Sequence, residues 1–156
     1  MLTTRCRYII ENNTFYDADG FKMDYGGHQS SFSSNVIVTK GTQGECLGLA
    51  SFKAGLGDAY YNNTCFVMGV QQQEASATGA GTVEVVGGVS QCDPAHMTMH
   101  DNYYASPRGQ PAIRCGGTPV LVSDLLRKTR IGQGSTGHML PSDAEILAVL
   151  KQHLQL

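Results

Sequence analysis

Four segments of the chain carry one pattern at uneven spacing, and that pattern rules out most simple folds. They are Ile10-Glu-Asn-Asn13-Thr-Phe15, Phe32-Ser-Ser-Asn35-Val-Ile37, Tyr60-Tyr-Asn-Asn63-Thr-Cys65 and Met99-His-Asp-Asn102-Tyr-Tyr104. Aligned on the second Asn, the position three before it is always apolar (Ile10, Phe32, Tyr60, Met99). The position just before it is small and polar (Asn12, Ser34, Asn62, Asp101), and the position two after it is apolar or sulfur-bearing (Phe15, Ile37, Cys65, Tyr104). In a straight strand, positions five apart face opposite sides. Both apolar columns can share one core only if the chain bends between them, and Asn tolerates the left-handed backbone such a bend needs. Stacked Asn side chains can then hydrogen-bond along the column, as amide ladders do in stacked sheets.

The steps from Asn13 to Asn35, Asn63 and Asn102 are 22, 28 and 39 residues. A stack of repeats absorbs such differences in loops on one face. The longest step holds the polar, small-residue stretch 71–81, which reads as an excursion. A second strand follows each Asn segment: Gly20–Gly26, Cys46–Lys53, Thr82–Val86 and Pro111–Cys115. Phe21-Lys22 and Phe52-Lys53 read as one repeated element. The expectation is an all-β stack of about four coils over residues 1–139, each with two or three short strands. An irregular β-sandwich is the competing architecture, because its strand and turn composition is similar.

Residues 140–156 change character and read as a helix of the same domain. Ser142 and Glu145 form a capping box, Leu140 and Ile146 a hydrophobic staple, and Ile146, Leu147, Leu150 and Leu154 an apolar stripe. An open end of a repeat stack exposes strand edges, so this helix is expected to cap it. The first coil, near Arg7–Ile10, leaves an edge through which the chain could self-associate.

Composition narrows the class. At 156 residues one domain is expected, with 19 glycines, no Trp and charged residues at only 15%. Net charge is −2, without a basic block, which argues against nucleic acid as a partner. No apolar run approaches the roughly 20 residues of a membrane span. The Met1–Cys6 start lacks the apolar region of a signal peptide, so the expectation is either an intracellular protein or, as favoured below, a longer secreted chain whose start is missing. Five cysteines form no CxxC pair, so zinc is not indicated; they are either buried thiols or, in a secreted chain, one or two disulfides.

The Asn-Asn-Thr-Phe type repeats, with the closing Gly134-Ser-Thr and Leu140-Pro-Ser-Asp-Ala-Glu-Ile, resemble the pectate-lyase-like right-handed parallel β-helix superfamily. The resemblance spans nearly the whole chain and implies a secreted C-terminal part of a longer β-helix, lacking N-terminal coils. It also implies a carbohydrate-associated module belonging to a polysaccharide lyase or epimerase that acts on acidic polysaccharide. The alternative is a non-catalytic carbohydrate-binding or structural β-helix. The Asp-Pro-His-Asp, Arg-x-Pro-x-x-Arg and Arg-Ile-Lys elements of its enzymes are absent, so no catalytic residue carries over by motif.

Candidate residues therefore come from chemistry. β-Elimination on a uronan needs a cation to neutralise the carboxylate, a base and an acid. Lys22, Lys53 and Arg114 would form a positive stripe if the second strands stack in register, with Tyr25 and His28 near enough to assist. The competing reading makes them solubilising charges. Asp17, Asp19 and Asp24 cluster around Gly20 and offer hard oxygens suited to Ca2+, though acidic residues are also common in turns. His96 and His100 lie on a strand and bend, where a spacing of four does not build a metal face. Cys65 falls in a core column, which makes it a poor nucleophile. The sequons at Asn12 and Asn62 permit glycosylation, but their place in the repeat favours a structural role.

Overall fold

The computed structural model describes residues 8–17, 22–23, 29–41, 44–50, 57–69, 71–74 and 82–156. Along the chain run β1 (Ile9–Glu11), β2 (Thr14–Tyr16), β3 (Lys22–Met23), β4 (Ser31–Ser33), β5 (Val36–Thr39), β6 (Leu47–Leu49), β7 (Asp58–Tyr61) and β8 (Thr64–Val67). Then come β9 (Gln71–Glu74), β10 (Thr82–Val89), β11 (Met97–His100), β12 (Tyr103–Ser106), β13 (Pro111–Cys115), β14 (Thr118–Leu121), α1 (Val122–Thr129), β15 (Thr136–Met139) and α2 (Asp143–Leu154).

These strands form three parallel-rich sheets, and the chain visits them in rotation. The first sheet is ordered β1-β4-β7-β11 and the second β15-β12-β8-β5-β2. The third is ordered β14-β13-β10-β6-β3, with β9 pairing β10 off that path. Among the described residues, antiparallel pairing is confined to β9 with β10 and β14 with β13. Each passage through the three sheets is one rung.

Each Asn segment spans the corner between the first and second sheets. Asn12, Ser34, Asn62 and Asp101 hold φ of 57°, 55°, 54° and 54°. The left-handed residue is thus the small polar one, and the aligned Asn beside it builds the ladder. Asn13 Nδ2 donates to Asn35 Oδ1 at 3.2 Å, Asn35 Nδ2 to Asn63 Oδ1 at 3.0 Å and Asn63 Nδ2 to Asn102 Oδ1 at 3.1 Å. The same oxygens accept the backbone N–H of Asn13, Asn35 and Asn63. Asn35, Asn63 and Asn102 also donate to the carbonyls of Ile10, Phe32 and Tyr60. A shorter ladder precedes the first sheet, where Ser30 Oγ accepts from Tyr8 N and Asp58 Oδ1 from Ser30 N at 2.7 Å.

The column three before each Asn fills the interior. Phe32 and Tyr60 are buried and stack at 5.2 Å with planes 5° apart, and Phe15 adds to the stack at 5.9 Å from Phe32. Residues of all three sheets, among them Ile37, Leu47, Cys65, Val86, Met99, Tyr104 and Ile113, join one core. The Tyr60 hydroxyl lies in that core without a hydrogen-bond partner among the described residues, and burial pushes its pKa up.

A further rung escaped the sequence reading. Gln133 bridges His100, Gly132 N donates to Met99 O, and Asn102 N donates to Ser135 Oγ at 3.2 Å. Gly134, at φ 68°, holds the corner position, and a Cβ there would run into the Asp101 carboxylate. Ser135 thus ends the amide ladder in place of Asn.

The expected C-terminal helix is present, with both halves of its capping box formed. It does not close the end of the stack. Ile146 and Leu150 pack on the outer face of the second sheet, against Val36, Val38, Phe66 and Ala105. That outward column is apolar and needs cover, which the end-cap expectation overlooked. Leu147 and Leu154, assigned to the same stripe, remain about half exposed. The last rung is covered instead by α1, whose Val122 and Leu125 are buried with Ile113 and Ile131. Part of the expected excursion, Gln71–Glu74, is a strand that pairs with β10.

Two disulfides answer the cysteine question. Cys46 and Cys65 are joined deep in the core, and Cys92 joins Cys115 at the end of β13. Both are compatible with an oxidising, extracellular setting. No helix among the described residues is long and apolar enough to cross a membrane.

Candidate functional site

The third sheet presents an open face. In β6 and β13 side chains alternate: Leu47, Leu49 and Ile113 point inward, and Gly48 and Arg114 point outward. In β10, Val89 points inward and Gly88 outward. The register pairs Lys22 with Gly48, Gly48 with Gly88, and Gly88 with Arg114. One column across four strands therefore begins at Lys22, crosses two glycines and ends at Arg114. Three strand steps of about 4.8 Å set the two ends about 14 Å apart.

The glycines of β10 differ in what they explain. A Cβ on Gly87 would sit 2.8 Å from the Leu47 side chain, so packing demands glycine there. A Cβ on Gly88 would meet nothing within 4 Å. Gly88 therefore leaves open space above the sheet that packing does not require. The space is a shallow, open cavity of about 330 Å3, floored by Gly48 and Gly88 and walled by Glu45, Ser90, Arg114 and Gly117. Glu45 Oε1 accepts from Arg114 Nη1 at 3.3 Å, and both side chains are partly exposed. An ion pair of that exposure contributes at most about 1 kcal/mol.

Of the expected positive stripe, the structure brings Lys22 and Arg114 into one column through their strands. The position beside Lys22 is held by Gly48 rather than by the second Phe-Lys element. Lys53, Tyr25 and His28 lie outside the described residues. So do Asp19 and Asp24; Asp17 is exposed at a left-handed turn after β2. Among the described residues no three metal-ligating groups converge. Sequence reasoning missed Glu45, Gly48, Gly88 and Ser90. Aligning the second strands on their inward leucines and valines would have set Gly48 and Gly88 in the column of Lys22 and Arg114.

The histidines form separate pairs. His96 Nδ1 lies 2.8 Å from Asp93 Oδ2, and this contact, together with the Ala95 amide, holds the Asp93 carboxyl below its usual pKa. His100 pairs with Asp101 at 2.7 Å and stacks on Tyr61, while His138 stacks on Tyr103 at 4.4 Å. A second hollow, of about 230 Å3, lies between α2 and the second sheet, where Lys40 sits 4.4 Å above the Tyr16 ring. The Tyr16 hydroxyl raises the Lys40 pKa.

Comparison of the chain with protein-family models, with curated proteins and with solved structures returns no match.

Proposed function

We propose that the chain is an exported, right-handed parallel β-helix of the pectate-lyase-like kind, and that its third-sheet groove binds an extended acidic glycan. Three parallel sheets visited in rotation, an amide ladder at one corner and a single core shared by all three sheets support the architecture. Right-handed crossovers between parallel strands are the rule. The functional reading rests on the column Lys22, Gly48, Gly88 and Arg114. Its two glycine positions make a floor flat enough for sugar rings. Its ends carry cations that suit carboxylate or sulfate groups, Arg114 in a planar fork. The groove is open rather than enclosed, which suits a polymer better than a small molecule.

The test is calorimetric titration of the folded chain with polygalacturonate, alginate and chondroitin sulfate, using neutral dextran as control. The expected result is binding to the anionic polymers alone, weakened at least tenfold by Gly88→Leu, which fills the floor, and by Arg114→Ala. Binding untouched by Gly88→Leu would place the site elsewhere, and no binding to any anionic polymer would end the proposal. Ultraviolet absorbance from unsaturated uronate products in the same mixtures tests the catalytic form of the reading, a lyase using Lys22 and Arg114 to neutralise the uronate. Its dependence on added Ca2+ tests the Asp17, Asp19 and Asp24 cluster. Self-association through the N-terminal edge, where Tyr8, Ile9 and Tyr16 are exposed, is read from light scattering of the same samples.

A further inference from the structure

The chain contains two Asn-x-Thr acceptor triplets, Asn12-Asn-Thr14 and Asn62-Asn-Thr64. Both coincide with the repeat, which favours a purely structural role until the two adjacent asparagines are separated. The structure divides them cleanly. Asn63 is buried and makes the ladder, and Asn13 occupies the ladder position of the first rung. The acceptor of each triplet is the residue before, Asn12 or Asn62. Each is exposed, and each holds the left-handed corner with φ of 57° or 54°. Backbone bonds from Asn12 N to Ser33 O and from Asn62 N to His100 O fix the corner. Among the described residues neither side-chain amide has a hydrogen-bond partner. The other rungs place Ser34, Asp101 and Gly134 at the same position, so the fold asks there only for a small residue tolerant of positive φ.

We infer that Asn12 and Asn62 are attachment sites for N-linked glycans. In the reaction, Asn Nδ2 forms a bond to the anomeric carbon of an oligosaccharide carried on a lipid diphosphate. The bond from that carbon to the phosphate oxygen breaks, the lipid diphosphate leaves with the electron pair, and the amide gives up one proton. Thr14 and Thr64, which supply the hydroxyl of each triplet, occupy one column of the second sheet with Val36 between them. The two acceptors are thus two strand spacings apart, about 10 Å along the stack. Both lie at the corner of the first and second sheets, and neither lines the groove on the third. The inference rests on export of the chain, which is part of the proposed function, and not on what the groove binds.

Translation of the full chain behind a secretion signal, in the presence of microsomes, supplies export independently. The expected result is two mass steps removed by peptide N-glycosidase, with Asn-to-Asp conversion at positions 12 and 62. Thr14→Ala and Thr64→Ala should each abolish one step, and Thr14→Ser and Thr64→Ser should keep it. The translocated, doubly modified protein should carry both disulfides. An unshifted chain with a glycosylated control in the same microsomes overturns the inference, and a single step overturns it for the missing site. Disulfide-bonded, protease-resistant Thr14→Ala/Thr64→Ala protein in the microsomal lumen beside a protease-sensitive modified form would show that the corner cannot carry glycans, and would overturn it as well.

Discussion

Replacing Asn63 with alanine measures what the amide ladder contributes to the fold. Asn63 Nδ2 donates to Phe32 O and Asn102 Oδ1, both at 3.1 Å, and its Oδ1 accepts from Asn35 N and Asn35 Nδ2, both at 3.0 Å. Alanine removes all four bonds. Asn35 Nδ2 keeps its bond to Ile10 O, but the buried Asn35 backbone N–H loses its acceptor. An orphaned buried donor costs about 1–3 kcal/mol, and each of the other lost bonds about 1 kcal/mol or less net. The expected loss is about 3–5 kcal/mol, which only a few kinds of substitution reach. With a slope of about 2 kcal/mol per molar urea, the midpoint should fall by about 2 M. Asn13→Ala is the internal control. Its side chain is exposed and, among the described residues, donates only to Asn35 Oδ1 and to its own Glu11 carbonyl. That change should cost less than about 1 kcal/mol. The comparison uses urea unfolding followed by circular dichroism. If the two variants lie within about 1 kcal/mol of each other, the ladder is a consequence of stacking and not a cause of it.

Gly87→Ala should destabilise by about 1–3 kcal/mol because its Cβ meets Leu47, whereas Gly88→Ala should stay within about 0.5 kcal/mol in thermal unfolding. Equal effects would contradict the assignment of Gly88 to the groove. A mild dithiol should open the partly exposed Cys92–Cys115 before the buried Cys46–Cys65, read by alkylation and mass spectrometry. Loss of either loop closure should cost about 3 kcal/mol in the chain-entropy account. Alkylation of both pairs at one rate would refute the difference in access. The Ser142 hydroxyl and backbone N–H hold the Glu145 carboxyl below its usual pKa. The stability this adds is present above the unfolded-state pKa and is lost as pH falls through the folded-state value. Ser142→Ala should therefore move the Glu145 titration upward in NMR and flatten the acid limb of the stability profile.

The corner was legible because it is specified locally. An apolar residue, a small polar one and an Asn recur at fixed offsets, and the bend they dictate involves few neighbours. The third-sheet strands were legible as segments, but their register was not. Matching Lys22 to Lys53 looks natural in sequence, yet the fold pairs Lys22 with Gly48 and Met23 with Leu49. The last rung was invisible because Gly132, Gly134 and Ser135 take the places of Met99, Asp101 and Asn102 with almost none of their side chains. The helix α1 is too short for its two buried residues, Val122 and Leu125, to stand out as a period. Disulfide pairing was open for a similar reason. Cys46 precedes β6 of the third sheet and Cys65 lies in β8 of the second, so they meet only once the sheets enclose one core. The groove escaped notice because its defining positions are glycines, whose contribution is the space they leave.

The ladder steps join residues 22, 28 and 39 positions apart through bonds of nearly equal length. A corner built this way works as a ruler. It holds the rise between rungs constant while the contour length of chain in each rung is free to change. Insertions can therefore accumulate in the arcs that lead from the second sheet to the third, where residues 71–81 fall, without altering the strand spacing that separates Lys22 from Arg114. Recognition of a periodic polymer depends on that constancy, so the residues that set the period of the groove lie across the molecule from it.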